Sequence, residues 1–226
     1  MNSTDLRDKF REATRDDVTP YLWSEAEVFS YADDAQKMFC RLTGGIADAT
    51  SPLTRVQLVA GEEFADISPR ILKLREARRA GDGYDLEILN FEDMQARRPD
   101  EDYGFRSGFR IDNSVGVVRA LVVGMEAGKV RPVKIPQEDQ QLNLIIYRLP
   151  LEDIVGEGQA LEISEQYHSL LLDWMMHRAH RKQDAETYDR GRSEEFYTFF
   201  TTMCDRAKHE REMREHKYRS VAYGGL

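Results

Sequence analysis

The sequence predicts an α+β protein in which a helical bundle, built from both ends of the chain, is interrupted by an inserted antiparallel β-rich domain and followed by an extended C-terminal arm. Three observations carry this. Apolar residues recur at three- and four-residue steps near the start of the chain and again from Ser164 onward, the spacing that presents one helix stripe to a core. Between about Arg55 and Leu149 the period shortens to that of strands, in short runs separated by Gly, Asp, Asn and Pro. Beyond Lys208 the apolar stripe disappears while charge continues. The expected layout is a bundle of residues 1–50 and 160–210, an insertion of 51–159 and an arm of 211–226.

The first element is a short helix from Asp5 to about Asp17, with Leu6, Phe10 and Ala13 on one side and Thr4 as its cap. Val18-Thr19-Pro20 ends it. A second helix begins at Ser24, where Ser24-x-x-Glu27 reads as a capping box and Trp23 with Val28 as a hydrophobic staple. Its buried stripe is read as Val28, Tyr31, Ala35, Met38, Phe39 and Leu42, leaving Glu25, Glu27, Asp33 and Asp34 facing outward or toward the helix start. Gly44-Gly45 stops it.

Seven runs then read as strands: RVQLVA, ILKLREARRA, YDLEIL, GFRSGFRID, VGVVRALVV, KVRPVKI and LNLIIYRLP. Gly81-Asp82-Gly83 and Asp112-Asn113-Ser114 are the expected hairpin turns, and FEDMQARRP a helical turn ended by Pro99. Helix returns at Ser164, which is expected to cap a segment bearing Tyr167, Leu170, Leu171, Trp174, Met175 and Ala179. A long helix follows from Asp184, with a stripe of Tyr188, Phe196, Phe199, Phe200, Met203 and Ala207.

With 41 acidic and 32 basic side chains the chain carries a formal charge of −9, so its average field repels nucleic acid and acidic membranes. Cys40 and Cys204 stand far apart with no CxxC spacing, which fits a reducing compartment and small packing residues. The opening MNSTDLRDKF has no apolar signal region and no run approaches a membrane-spanning length, so a soluble protein made in a cytoplasm is expected.

Motifs for chemistry are incomplete. Glu165-x-x-His168 has the spacing of half a di-iron site, without a second copy. His209-Glu210 opens like a zincin motif, but Met213 stands where the second imidazole is needed. His177 and His180, near Asp173, suit polar capping of a helix end. No GxSxG, phosphate loop or GxGxxG is present. The reading is therefore no catalytic, cofactor-binding or metal residue; the alternative is a small soluble metal-dependent enzyme or accessory subunit using Glu165, His168, Asp173 and His177. The basic run Arg70, Lys73, Arg75, Arg78 and Arg79, with Arg97 and Arg98 after it, reads as a solvated strand edge or as cations that meet acidic neighbours.

Three passages in order resemble the head-to-tail adaptor (connector) proteins of tailed bacteriophages: PYLWSEAEVFSYADDAQKMFCRLTG, LPLEDIVGEGQALEISEQYHSLLLDWMMHRAH and YRSVAYGGL. The resemblance spans nearly the whole chain. It implies a structural virion protein of the neck region that docks as a twelvefold ring under the portal, joins capsid to tail through a downstream tail or nozzle protein, and lets genomic DNA through its channel without sequence-specific binding. It also implies that the C-terminal arm reaches the portal, with Arg214, Lys217, Tyr218, Arg219, Val221, Tyr223 and Leu226 as interface residues. The arm itself, alternating acid with base before its apolar end, gains little by packing in the free chain and is expected to order on a partner.

Overall fold

The fold is seen in a computed structural model that describes residues 1–92, 111–184 and 186–215. The chain packs as two compact units, Met1–Gly44 with Pro150–Leu226, and Gly45–Leu149.

In the first unit, α1 (Ser3–Thr14) starts two residues earlier than the sequence suggests, because Asn2 and Asp5 form the capping box: the Asp5 N–H donates to Asn2 at 2.9 Å and the Asn2 N–H to Asp5 at 2.8 Å. Thr4, the expected cap, instead accepts from the Gly158 N–H at 2.9 Å. Arg15, in the left-handed region with φ 57°, closes the helix. The loop that follows is organised by Asp16, which pairs with Arg11 at 2.8 Å and accepts from the Leu22 N–H at 2.8 Å.

Helix α2 (Glu25–Thr43) begins where its capping box places it, with Ser24 and Glu27 exchanging bonds, and ends on Gly44 with φ 88°. The positive φ is what favours glycine at this position, and the Arg211 guanidinium lies against it. The buried side is rotated from the expected stripe. Val28, Phe29, Ala32, Ala35, Gln36, Phe39, Cys40 and Thr43 are buried, while Tyr31, Met38 and Leu42 sit at its margin. Gln36 takes a core position because its Oε1 accepts from the Glu162 N–H at 2.9 Å, which satisfies a buried amide.

Ser164 does not start the next α-helix. It precedes a single 3-10 turn, Glu165–Tyr167, with no side-chain cap bond, and α3 runs from Leu170 to His180. Helix α3 is buried on most sides: Leu170, Leu171, Trp174, Met175, Met176, His177, Ala179 and His180 are all inside. Helix α4 (Arg190–Glu215) starts six residues after Asp184 because Asp189 supplies the cap, accepting from the Arg192 N–H at 3.1 Å. Residues 150–160 belong with these helices by their bonds: the Ser3 hydroxyl donates to the Gly156 carbonyl at 2.7 Å and the Ile154 N–H to Asp33 at 3.0 Å.

The second unit is a curled mixed sheet. Its spine is β10 (Gln140–Arg148), paired along one edge with β4 (Ile71–Arg79) and along the other with β2 (Arg55–Leu58) and β1 (Ile46–Asp48). From β4 the order continues through β5 (Asp85–Asn90), β7 (Ala120–Val123) and β8 (Lys129–Pro132) to β3 (Ala65–Asp66). A separate pair joins β6 (Val115–Gly116) to β9 (Ile135–Pro136). Most pairings are antiparallel as expected, but β5–β7 and β6–β9 run parallel. Strand β7 explains the first exception: Ala120, Leu121 and Val122 are all fully buried, with Leu121 in one core cluster and Ala120 and Val122 in a second. A strand covered on both faces reads as a continuous apolar run, and such runs suit parallel pairing.

The Gly81–Gly83 turn closes the β4–β5 hairpin, with the Gly83 N–H donating to the Arg79 carbonyl at 2.9 Å. The Asp112 carboxylate accepts from the Ser114 N–H at 2.8 Å, but most of the run that would complete the expected hairpin there, and most of FEDMQARRP, lie outside the described residues. Strands β1 and β3 are too short to show a period and were not foreseen from the sequence.

Candidate functional site

The acidic face of α2 is the first place where charge could act on a partner, and the structure puts much of it to work inside the helical unit. Trp174 donates its indole N–H to Asp34 at 2.8 Å, and Arg178 approaches the same carboxylate at 3.3 Å. Lys37 bridges Asp33 at 2.7 Å and Asp153 at 2.6 Å. Lys182 pairs with Glu27 at 2.9 Å and also donates to the Leu22 carbonyl at 3.0 Å. Asp33 and Asp34 therefore do not face open solvent as their position after the helix start suggested. They join α2 to α3 and to the segment before α3.

The residues of the enzyme alternative differ in their surroundings. Glu165 is exposed, whereas His168 is buried and its Nε2 lies 2.8 Å from the Ile163 carbonyl. His177 turns its Nδ1 toward Ser193, 2.9 Å from the carbonyl and 3.0 Å from the hydroxyl. His180 stacks on Phe196 with their centroids 5.9 Å apart. Among the described residues no three His, Cys, Asp or Glu side chains converge as metal ligands. Burial raises the Asp173 carboxyl to about 6, with only a minor opposing backbone bond. Burial also lowers His177, helped by Arg181 and Arg178 and opposed by the Ser193 carbonyl and Asp34. Perturbed groups of this kind often mark catalytic sites. Here their surroundings are a packed aromatic cluster in which Trp174 contacts His177 and Phe200 at 5.0 Å each.

The basic strand run also finds partners within its own unit. Arg75 donates to the Tyr147 hydroxyl at 3.2 Å, Arg78 pairs with Asp85 at 2.7 Å, and Arg79 reaches the Val118 carbonyl at 2.9 Å. Arg97 and Arg98 lie outside the described residues.

Helix α4 leaves several large apolar side chains exposed, among them Tyr197, Phe199 and Met213. Its seated side is Ser193, Phe200, Cys204 and Ala207, so the sequence-based stripe is corrected at Phe199 and Tyr188, which are 53% and 54% exposed. The FYTFF run places aromatics around three sides of the helix, and periodicity alone cannot choose among them. A shallow groove of about 570 Å³ follows the outer face past Gly191, Glu194, Phe199, Met203 and Arg206.

The helix also runs further than the expected arm boundary. Residues 211–215 are helical, the Tyr167 hydroxyl bonds Glu210 at 3.2 Å, and Arg211 packs at Gly44. Arg214 is on this last turn, exposed and 3.7 Å from Glu210. The remaining expected interface residues, Lys217, Tyr218, Arg219, Val221, Tyr223 and Leu226, lie outside the described residues. No described helix is long and apolar enough to cross a membrane.

Both units thus use their ionisable side chains chiefly to hold an α+β scaffold together, while Tyr197, Phe199 and Met213 on α4 stay exposed. The family model described as SU10 adaptor protein matches residues 1–222, and the chain belongs to this family of phage head–tail adaptors. It is a bacteriophage structural adaptor protein. No curated protein matches the sequence significantly.

Proposed function

We propose that the protein is the head-to-tail adaptor that docks as a ring of twelve copies beneath the portal and connects the capsid to the tail. The observation that carries this is the reach of the family match, residues 1–222, which takes in both units and most of the arm. The arm is the portal contact: Arg214, exposed at the end of α4, together with Lys217, Tyr218, Arg219, Val221, Tyr223 and Leu226, would set cations against acidic groups and apolar side chains into grooves. A downstream tail or nozzle protein adds to the opposite side. Genomic DNA passes through the ring without sequence-specific binding, and the net charge of −9 suits a lining that does not hold phosphates. The protein is made in the host cytoplasm, resides in the virion neck and performs no catalysis.

The test is the mass of the particle formed when the purified protein is mixed with its portal. A defined increment corresponding to a ring of copies on each portal supports the reading, and two components that remain separate at micromolar concentration overturn it. Elemental analysis of protein purified without chelator addresses the non-catalytic part. Stoichiometric zinc, iron or manganese, lost on replacing His168, would argue for the enzyme alternative.

A further inference from the structure

Helix α4 has 26 residues and so spans about 39 Å. Ser193, Phe200, Cys204 and Ala207 seat one side of it. The other side carries Gly191, Glu195, Phe199, Thr202, Arg206 and Met213, all exposed, at steps of three, four and seven residues that keep one face of a helix. The first five of these line the shallow groove described above. Phe199 and Met213 are the large apolar groups in the row, 53% and 63% exposed.

Two charges in this row lack a partner of opposite sign. Elsewhere on the helix Glu194 pairs with Arg190 at 2.7 Å and Glu210 approaches Arg214 at 3.7 Å. Among the described residues Glu195 makes no ion pair, and the Arg206 guanidinium reaches the Met203 sulfur at 3.8 Å but no carboxylate. Glu195 and Arg206 stand three turns apart, about 16 Å along the axis, too far to meet on one helix. They are, however, placed symmetrically about the step from Phe199 to Thr202. A second α4 laid antiparallel on that midpoint brings Glu195 of each helix level with Arg206 of the other, and Phe199 of each level with Thr202. Met213 then comes level with Tyr188, which precedes the helix and is 54% exposed. Helices crossing at about 20° keep such a contact over several turns. The face is therefore complementary to itself in the antiparallel sense, carboxylate to guanidinium and apolar group to apolar group.

We propose that two copies of the free protein pair antiparallel through this face of α4, with Glu195 of each copy against Arg206 of the other and the Phe199 rings filling the groove between the helices. Exposed ion pairs contribute little on their own, so the burial of Phe199 and Met213 supplies most of the affinity while the charges fix direction and register. A two-fold contact of this kind presents the same patch from both copies. Neighbours in a closed ring are related by rotation in one sense and meet through two different surfaces. The pair is accordingly a state of the protein before docking, and it does not rest on the ring proposed above.

The test is sedimentation of the full-length protein at micromolar concentration without portal, where the wild type should run at the mass of two copies. Glu195→Arg sets arginine against arginine at both ends of the contact, and Arg206→Glu sets glutamate against glutamate. Each variant alone should weaken the dimer about tenfold. An equimolar mixture of the two restores both opposite-charge pairs in a mixed dimer and should recover the wild-type mass, which also shows that both variants are folded. Single cysteines check the register. Two copies of Thr202→Cys lie about 4.5 Å apart along the helix axes, and two copies of His209→Cys about 25 Å. Mild oxidation should link two chains through the first and not through the second, because the native Cys40 and Cys204 are fully buried. A monomeric wild type, a dimer that keeps its affinity in either charge reversal, a mixture that stays monomeric, or equal linking at both positions would overturn the proposal. Because no portal is present, none of these outcomes bears on the ring.

Discussion

The indole N–H of Trp174 donates to the Asp34 carboxylate at 2.8 Å, tying the middle of α3 to the acidic face of α2. The same ring is 5% exposed and contacts Phe200 of α4 at 5.0 Å, so three helices meet on one side chain. Trp174→Ala should cost about 3–5 kcal/mol, the range for deleting a large buried aromatic ring. Trp174→Phe keeps most of the packing and removes one hydrogen bond, and should cost less, about 1–2 kcal/mol, because Arg178 still partners Asp34. Chemical denaturation of the two variants checks the ranking. Equal midpoints for wild type and Trp174→Ala would mean that the ring does not anchor the unit.

Asp173 and His177, one turn apart on α3, respond to pH in opposite directions. Asp173 is raised by burial to about 6, above the ordinary value of about 3.9, so the fold prefers its protonated form. Its contribution is fully present below about pH 4 and is lost as pH rises toward 6. Asp173→Asn should therefore stabilise the protein by about 1–2 kcal/mol at pH 7 and change little at pH 4. Paired denaturation curves at the two pH values test this, and equal gains at both would show that charge is not the cause.

His177 is lowered by burial, so the fold prefers the neutral ring. Relative to an unfolded value of about 6.5, stability is retained above that pH and lost as pH falls through the lower folded value. Replacing His177 with Gln should flatten the acid side of the pH–stability profile just below about pH 6.5, while costing some stability throughout through the lost ring contacts with Trp174 and Tyr197. A profile of unchanged shape would rule out His177 as the responsible group.

In the β unit, Asp48 and Arg148 form a buried pair between β1 and β10. Burial opposes the charge on Asp48, but the nearby Ser51 hydroxyl, the Thr50 N–H, the Arg148 guanidinium and the Ser51 N–H outweigh it and hold the carboxyl well below the usual range. This stabilisation is present above about pH 4 and is lost as pH falls through the depressed folded value. Asp48→Ala removes a buried carboxylate that pairs with Arg148 and accepts from the Thr50 and Ser51 N–H groups, and should cost about 3–5 kcal/mol, lost mainly from this unit. Hydrogen exchange resolves where the loss falls. Protection lost evenly in the helices as well would contradict a local role.

What could be read from the residues depended on whether the signal was local. Ser24 and Glu27 lie within one turn, and their capping box placed the start of α2 correctly. Asp184 resembled a helix start, but Asp189 has the backbone geometry to cap, and nothing in the spacing separates the two. Gln36 looks like a surface residue until the Glu162 N–H, far along the chain, supplies its partner. Asp33 and Asp34 were legible as carboxylates on a helix, yet their bonds to Ile154 and Trp174 depend on chain segments that only the fold brings near. Phe199 was placed inside because Phe196, Phe199 and Met203 stand at three- and four-residue steps, as Phe200 and Cys204 also do. One residue is about 100° on a helix, and here that rotation carries the ring from the core to the surface.

The helix end also changes how the arm should be tested. A chain ending at Lys208 would remove Glu210, which bonds Tyr167, and Arg211, which packs at Gly44, so a loss of binding there could reflect a damaged helical unit. A chain ending at Glu215 keeps these contacts and removes the segment from His216 onward. It should retain the helix content and thermal midpoint of the full protein while losing portal association. Lys217→Glu with Arg219→Glu in the full chain should weaken association most at low salt, because exposed pairs are screened over about 8 Å at physiological ionic strength. Tyr223→Ser should weaken it with little salt dependence, since it removes apolar contact. Affinities measured by sedimentation at two salt concentrations separate these effects. Undiminished binding of the chain ending at Glu215 would move the portal contact off the arm and onto the folded units.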